Sequence, residues 1–334
     1  MTFDSTTLDS TAINGAAIEV TDLTKTYPNG VRAVDGISFS VRNGTVFGLL
    51  GPSGAGKSTI IKILTTLARP GSGGVRVAGV DVVREPAQAR RRIGCVTQQS
   101  GVDPCATSRE ALTLQGRLYG LNGRLLRNRV DSLLERFALA DLADRPTRTY
   151  SGGMRRRLDV ALGLVHEPHV LFLDEPTTGL DPETRTDLWA EIFGMAAVGI
   201  TVVLSTHYLE EVDELASTLA ILDRGKIVAM GSPSQLKREA GGDALRVELV
   251  EPPGEGKVRK ALAGVEGVGN IVVAGCGLSA RVERGAVSAP YLVAALESAG
   301  VRVVSLTLSA PTIGDVYLRH AGRLLRSAQE APSR

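Results

Sequence analysis

Between residues 16 and 41 apolar and polar positions alternate, first in Ala17-Ile18-Glu19-Val20 and again around Ile37, Phe39 and Val41, with Pro28-Asn29-Gly30 between them. A period of two on either side of a turn predicts an antiparallel pair with one covered face. The pattern then changes. Residues 45–50, 170–173 and 201–206 form runs without alternation, the mark of strands covered on both faces by helices. Residues 74–79 and 93–98 read as further strands, and 60–67 carries isoleucines and leucines at helical spacing. From 108 to 144 the spacing is helical throughout, with Leu112, Leu114, Leu118, Val130, Leu133, Leu134 and Phe137 defining buried stripes. The expected architecture is α/β: a mixed sheet core, an antiparallel flank and a helical subdomain inserted at about 100–165.

Past Ser232-Pro233 the pattern changes once more. Pro252-Pro253-Gly254 is a break, residues 245–250, 270–274, 278–282 and 301–308 read as strands, and 287–298 reads as a helix. A small C-terminal α+β domain is expected over 241–322, after a main domain over 16–240. Residues 1–15 and 323–334 are expected to be flexible tails.

A length of 334 residues accommodates two domains, and a formal net charge of +2 gives no basic excess for nucleic-acid binding. The run Arg90-Arg91-Arg92 is expected to be a solvated helix end. No stretch approaches the roughly 18 apolar residues that span a bilayer, and residues 1–14 lack the basic start and apolar centre of a secretory signal. Cys95, Cys105 and Cys276 are odd in number and not spaced as ligands, which argues against a disulfide framework or zinc site and for a reducing cytosol. His166 and His169 flank Pro168 without a third ligand nearby and read as loop residues.

The chemistry centres on Gly51-Pro52-Ser53-Gly54-Ala55-Gly56-Lys57-Ser58-Thr59, which fits the phosphate-loop pattern G-x-x-x-x-G-K-[ST] between an apolar strand and a helix. Small residues at 51, 54 and 56 let backbone N–H groups turn toward anionic oxygens, and the helix beginning near Lys57 adds its positive end. Lys57 supplies a point charge for the β- and γ-phosphates, and Ser58 a hydroxyl for Mg²⁺. Three apolar strands deliver polar groups to one edge: Asp174-Glu175 after 170–173, His207 after 201–206, and Gln98 at the end of 93–98. An aspartate so placed suits Mg²⁺, and Glu175 suits a base acting on water at the γ-phosphate. Tyr27, beside its turn, is a candidate adenine platform or a half-buried packing residue.

With Ser151-Gly152-Gly153-Met154-Arg155-Arg156-Arg157 and Gly179-Leu180-Asp181 added in this order, residues 16–233 closely resemble the nucleotide-binding subunit of ABC transporters. The resemblance implies a P-loop NTPase of ABC type, with ATP and Mg²⁺ as cofactors. By position, Tyr27 would stack on adenine. Gln98, with Gln99 as the alternative, would contact Mg²⁺ and the attacking water and sense the membrane subunit. Asp174 would hold the metal, Glu175 would act as general base and His207 would contact the γ-phosphate. Ser151, Gly152 and Gly153 would cap ATP bound to the opposite subunit, with Asp181 crossing the dimer interface. Tyr150 and Met154 depart from the family's Leu-Ser-Gly-Gly-Gln, and Met154 lacks the glutamine's hydrogen bonds. This form, with the ending Ala310-Pro311-Thr312-Ile313-Gly314-Asp315-Val316-Tyr317-Leu318, is similar to the daunorubicin and doxorubicin efflux ATPases and to nodulation and polysaccharide exporters. The resemblance implies a homodimer on the cytoplasmic face of the membrane that drives a separate integral-membrane permease, with no nucleic acid as partner. A ribosome-acting relative would carry two phosphate loops in one chain and a DNA-repair relative a long coiled coil; neither is in the sequence.

Overall fold

The computed structural model describes residues 15–239, 241–283 and 285–321. The expected terminal tails lie outside this set, apart from residue 15. The described chain divides into two compact units, with the division at Met230/Gly231.

The first unit opens with β1 (Ala16–Thr26) and β2 (Arg32–Arg42), an antiparallel pair. Then come β3 (Val46–Leu50), the phosphate loop, α1 (Lys57–Leu64), β4 (Ser72–Val77), β5 (Val80–Asp81), α2 (Pro86–Arg92) and β6 (Ile93–Val96). The expected flank is a four-stranded sheet in the order β2-β1-β4-β5. It packs into one core with α1 and the central strands, through residues such as Ile18, Leu23, Ile60, Ile63, Phe47 and Phe172. The helical stretch resolves into α3 (Ser108–Leu118), α4 (Gly123–Arg136) and α5 (Gly152–Leu164). Thr107 and Glu110 form a capping box that fixes the start of α3. Leu126, Val130, Leu133 and Leu134 are the buried stripe of α4.

After α5 come β7 (Val170–Asp174), α6 (Pro182–Ala197), β8 (Thr201–Thr206), α7 (Leu209–Leu215), β9 (Thr218–Asp223) and β10 (Lys226–Gly231). The central sheet has the order β10-β9-β3-β8-β7-β6. Its pairs β9/β3, β3/β8, β8/β7 and β7/β6 are all parallel. Every residue of β3, β7 and β8 is buried, which is why these segments carry no alternation. Parallel pairing aligns the carboxyl ends of β3, β8, β7 and β6 along one edge, where open α/β sheets bind their ligands.

In the second unit α8 (Pro233–Glu239) precedes β11 (Asp243–Leu249), α9 (Glu255–Leu262), β12 (Val268–Ala274), β13 (Gly277–Val282), α10 (Gly285–Ser298), β14 (Val303–Ser309) and α11 (Ile313–Ala321). The sheet order β12-β13-β11-β14, antiparallel at each pair, is the ferredoxin-like β-α-β-β-α-β arrangement. Leu245, Val247, Leu278, Val282, Leu292 and Leu296 fill its own core. The boundary precedes residue 240 because α8 packs with α11 and belongs to this unit.

Candidate active site

Leu50 ends β3 and Lys57 begins α1, so the chain must reverse within six residues that offer backbone N–H groups to a ligand. Gly54 and Gly56 supply the left-handed conformations, with φ of +82° and +108°. At Gly56 no other residue fits, because a Cβ would stand 2.4 Å from the Ala33 carbonyl oxygen. At Gly51 it would stand 2.5 Å from the Leu222 carbonyl oxygen. The loop is thus pressed backbone to backbone onto the sheet.

Lys57 is only 4% exposed. Its ammonium donates to the carbonyls of Gly51 at 2.6 Å and Pro52 at 3.1 Å and lies 3.9 Å from Glu175 Oε1. Burial pulls its pKa down, while the carboxylates of Glu175 and Asp174 oppose that shift. Asp174, the last residue of β7, accepts from Ser58 Oγ at 3.2 Å and from the Ser205 hydroxyl on the same oxygen. A carboxylate and a hydroxyl side by side form the hard-oxygen donor set that suits Mg²⁺, and a glycine cradle around a buried ammonium suits a polyphosphate. The residues present therefore fit both groups.

Glu175 is where the strand ends converge. Gln98 Nε2 donates to its Oε2 at 3.1 Å, Thr178 Oγ1 to the same oxygen at 3.4 Å, and His207 Nδ1 lies 3.4 Å from Oε1 without hydrogen-bond alignment. The residue sits at φ +48°, uncommon outside glycine, held by its N–H donating to the Ser205 carbonyl at 3.0 Å. Gln98, Lys57, His207, Asp174 and Glu175 are thus brought together at the carboxyl edge of the sheet. Tyr27 joins them at the margin, its hydroxyl 3.3 Å from Thr59 Oγ1.

Ser151, Gly152, Gly153 and Asp181 stand apart from the phosphate loop, with no hydrogen bond or ion pair to it among the described residues. Ser151 caps α5, accepting from Met154 N–H at 3.2 Å. Asp181 caps α6, accepting from Thr184 N–H at 2.9 Å and Thr184 Oγ1 at 2.7 Å, bonds that hold its carboxyl below the usual carboxylate range. A Cβ on Gly153 would meet Thr184 Cγ2 at 2.6 Å, so the two helix starts touch through Thr184. Gly152, Glu175 and Gln98 nevertheless line one cleft of about 280 Å³.

Two features escaped the sequence reading. The buried Arg156 donates to the carbonyls of Thr97 at 2.7 Å, Pro176 at 2.8 Å and Asp174 at 3.1 Å, clamping the ends of β6 and β7 from α5. Its place in a run of three arginines hid which one turns inward. Ser205 orients Asp174, but inside an apolar strand it read only as a strand residue. The run Arg90-Arg91-Arg92 forms the last turn of α2 as expected, with Arg90 and Arg91 exposed; Arg90 also donates to Thr66 Oγ1 at 3.1 Å, and the half-buried Arg92 donates to the Ala78 carbonyl at 2.7 Å. His166 stacks on Tyr119 with ring centroids 3.7 Å apart and shares a hydrogen bond with the Ile93 carbonyl at 2.8 Å.

Residues 34–178 match the family described as ABC transporter. Along nearly its whole length, 92% of this chain and 96% of the relative, the chain is 42% identical to the daunorubicin resistance ATP-binding protein DrrA3 of Streptomyces coeruleorubidus. The chain belongs to the ABC transporter family as an ATP-binding subunit. Residues 231–321 match the C-terminal domain described for DrrA1-3-like ATP-binding proteins, which covers the ferredoxin-like unit. A Nod factor export ATP-binding protein I from Ralstonia nicotianae is 44% identical over 64% of this chain and 67% of its own length. Among solved structures, a dimeric ATP-binding cassette in a post-hydrolysis state, bound to ADP and Pi, has a TM-score of 0.60 at 26% identity, covering 64% of this chain and 98% of that one. The ABC ATP-binding domain is an ATPase with a P-loop NTPase fold, and this chain carries that fold and binds ATP as its family does. Among the described residues no helix is long and apolar enough to cross a membrane.

Proposed function

We propose that the chain dimerises head to tail around two Mg·ATP molecules and drives a separate integral-membrane permease in drug or antibiotic efflux, from the cytoplasmic face of the membrane. The observation that carries the chemical part is the convergence of Lys57, Gln98, Thr178 and His207 on Glu175. In this reading residues 51–59 hold the phosphates through backbone N–H groups and Lys57, and Tyr27 stacks on adenine. Magnesium, held by Ser58, Asp174 and Gln98, supplies charge compensation on the phosphate oxygens when bound. Glu175 takes a proton from the attacking water, which Gln98 and His207 orient toward the γ-phosphate. Ser151, Gly152 and Gly153, at the N-terminus of the 13-residue α5, cap the phosphates of the partner subunit's ATP, and Asp181 crosses the interface. The helical subdomain, about 100–165, together with the Gln98 segment, passes the state of the site to the permease. The near full-length likeness to a daunorubicin resistance protein supports drug as cargo, and the likeness to a Nod factor exporter keeps polysaccharide or lipid as the second reading.

Glu175→Gln tests this reading. The variant keeps the shape and removes the base, so steady-state ATP hydrolysis should fall by about 10²- to 10⁴-fold, while Mg·ATP still binds and a nucleotide-held dimer accumulates on size exclusion. Hydrolysis at the parent rate rejects Glu175 as base. In cells that make the chain, the same variant should retain more daunorubicin; unchanged retention rejects that cargo and leaves the ATPase assignment standing.

A further inference from the structure

Behind the site lies a polar cluster that the mechanism above does not use. Glu211, in the first turn of α7, is fully buried at 0% exposure, and among the described residues neither of its carboxyl oxygens makes a well-aligned hydrogen bond, although donors stand around it. Four donors face it. Thr206 ends β8 next to His207, Thr177 follows the Glu175-Pro176 pair, and Arg185 and Trp189 stand one turn apart on α6, the helix that Asp181 caps. The Thr177 hydroxyl, the Arg185 Nε and the Trp189 indole N–H are themselves buried without partners. Arg185 also lies over the Tyr208 ring, 5.4 Å from its centroid, and that ring lies 4.2 Å from the His207 ring.

A carboxyl group has about four lone-pair positions, and leaving them empty inside a protein costs more than almost any other local defect. Here the donors that can fill them come from three separate pieces of chain. Glu211 is satisfied only when the end of β8, the loop after Glu175 and α6 all approach together, so the three are coupled through one group. Burial also pushes the Glu211 carboxyl up, so a proton of its own can serve the same network.

We propose that Glu211 is a positioning residue for ATP hydrolysis, gathering Thr206, Thr177, Arg185 and Trp189 so that the turn bearing His207 and the loop running from Glu175 to Asp181 hold one register around the phosphates. This rests on the assignment of Glu175, His207 and Asp181 given above. Replacing Glu211 by leucine leaves the donors of Thr177, Arg185 and Trp189 buried without an acceptor and so lowers stability whatever the role of the carboxyl, which is why the proposal is read from turnover per folded molecule.

The test compares Glu211→Leu, Glu211→Gln, Thr177→Val and the double variant Glu211→Leu/Thr177→Val in the full chain, with kcat, KM and Mg·ATP affinity by equilibrium dialysis. Glu211→Leu should lower kcat about tenfold or more, with KM and Mg·ATP affinity within about twofold of the parent. Glu211→Gln, which keeps an acceptor oxygen, should retain at least about three times the activity of the leucine variant. Adding Thr177→Val to Glu211→Leu should lower kcat no further, because both substitutions break one network. An unchanged kcat in Glu211→Leu overturns the proposal, as do equal losses in the leucine and glutamine variants, strictly additive losses, or a parallel loss of Mg·ATP affinity. Should Glu211→Leu fail to fold, Thr177→Val and Trp189→Phe decide the matter: each should lower kcat about threefold at parental affinity, and parental kcat in both overturns the proposal. Parent-rate hydrolysis by Glu175→Gln rejects the catalytic assignment instead, so the two failures are told apart.

Discussion

Single residues show most directly how environment sets chemistry in this chain. Cys95 is half-buried on β6, and its thiol is pushed up to about 11 by burial and by the Asp174 carboxylate, with a hydrogen bond to Thr65 only partly opposing. Cys105 and Cys276 are exposed. The thiolate is the reactive form, so at pH 8 a thiol reagent should modify Cys105 and Cys276 in the native protein and reach Cys95 only after denaturation. Three fast thiols would contradict this. The pH dependence has a definite sign. Cys95 keeps its proton in the folded state up to about 11, whereas the unfolded thiol loses it near 9.0, so this group leaves stability unchanged below pH 9 and lowers it as pH rises toward 11. Most reacting groups were legible at this scale because the phosphate-loop pattern, Asp174-Glu175 and His207 each follow an apolar strand. Arg156, Ser205 and Glu211 were not, because burial of a polar side chain depends on groups brought from distant segments: the Thr97 and Pro176 carbonyls for Arg156, Asp174 for Ser205, and the neighbouring donors of Thr177 and Trp189 for Glu211.

At the scale of elements, the strand-loop-helix unit β3-loop-α1 separates two uses of glycine. Gly54 needs its positive φ but has open space around its Cβ position. Gly56 needs the same freedom and in addition faces the Ala33 carbonyl, which is backbone and cannot swing away. Gly54→Ala should therefore destabilise the nucleotide-free protein by about 1–2 kcal/mol, the cost of a left-handed alanine. Gly56→Ala adds a steric term of about 1–3 kcal/mol to that cost. Denaturant midpoints read both, and equal midpoints would show that contact with Ala33 does not constrain the loop. The strands of the central sheet were legible because full burial on both faces leaves unbroken apolar runs at 46–50 and 170–173. The pattern reading did not mark out β9, β10 and α9. β10 is only partly buried, so its run lacks a sharp signature. Among the described side chains of α9 only Val258 and Leu262 are buried, too few for a helical stripe to stand out from 255–262.

For the molecule as a whole, the sequence signalled two domains through the Pro252-Pro253-Gly254 break and the return of alternating strands, but not the topology of the second. Strand order depends on which strands pair, and β11 pairs with both β13 and β14, partners that lie well beyond any local window. The pairing produces a closed set of contacts. Leu245, Val247 and Leu249 of β11 pack with Val258 and Leu262 of α9 and Leu292 and Leu296 of α10, and every member of this core lies within 231–325. A segment of this size with its own buried core has what independent folding requires. Residues 231–325 made alone should therefore melt in one cooperative transition and give dispersed amide resonances. The complementary piece, residues 1–230, contains every residue assigned to phosphate and metal and should bind Mg·ATP as the full chain does. A fragment 231–325 that melts without cooperativity would mean that its core, though contiguous, draws stability from the rest of the chain. An independently folded second unit that contributes none of the groups proposed to hold phosphate and metal is then free to serve a task other than hydrolysis.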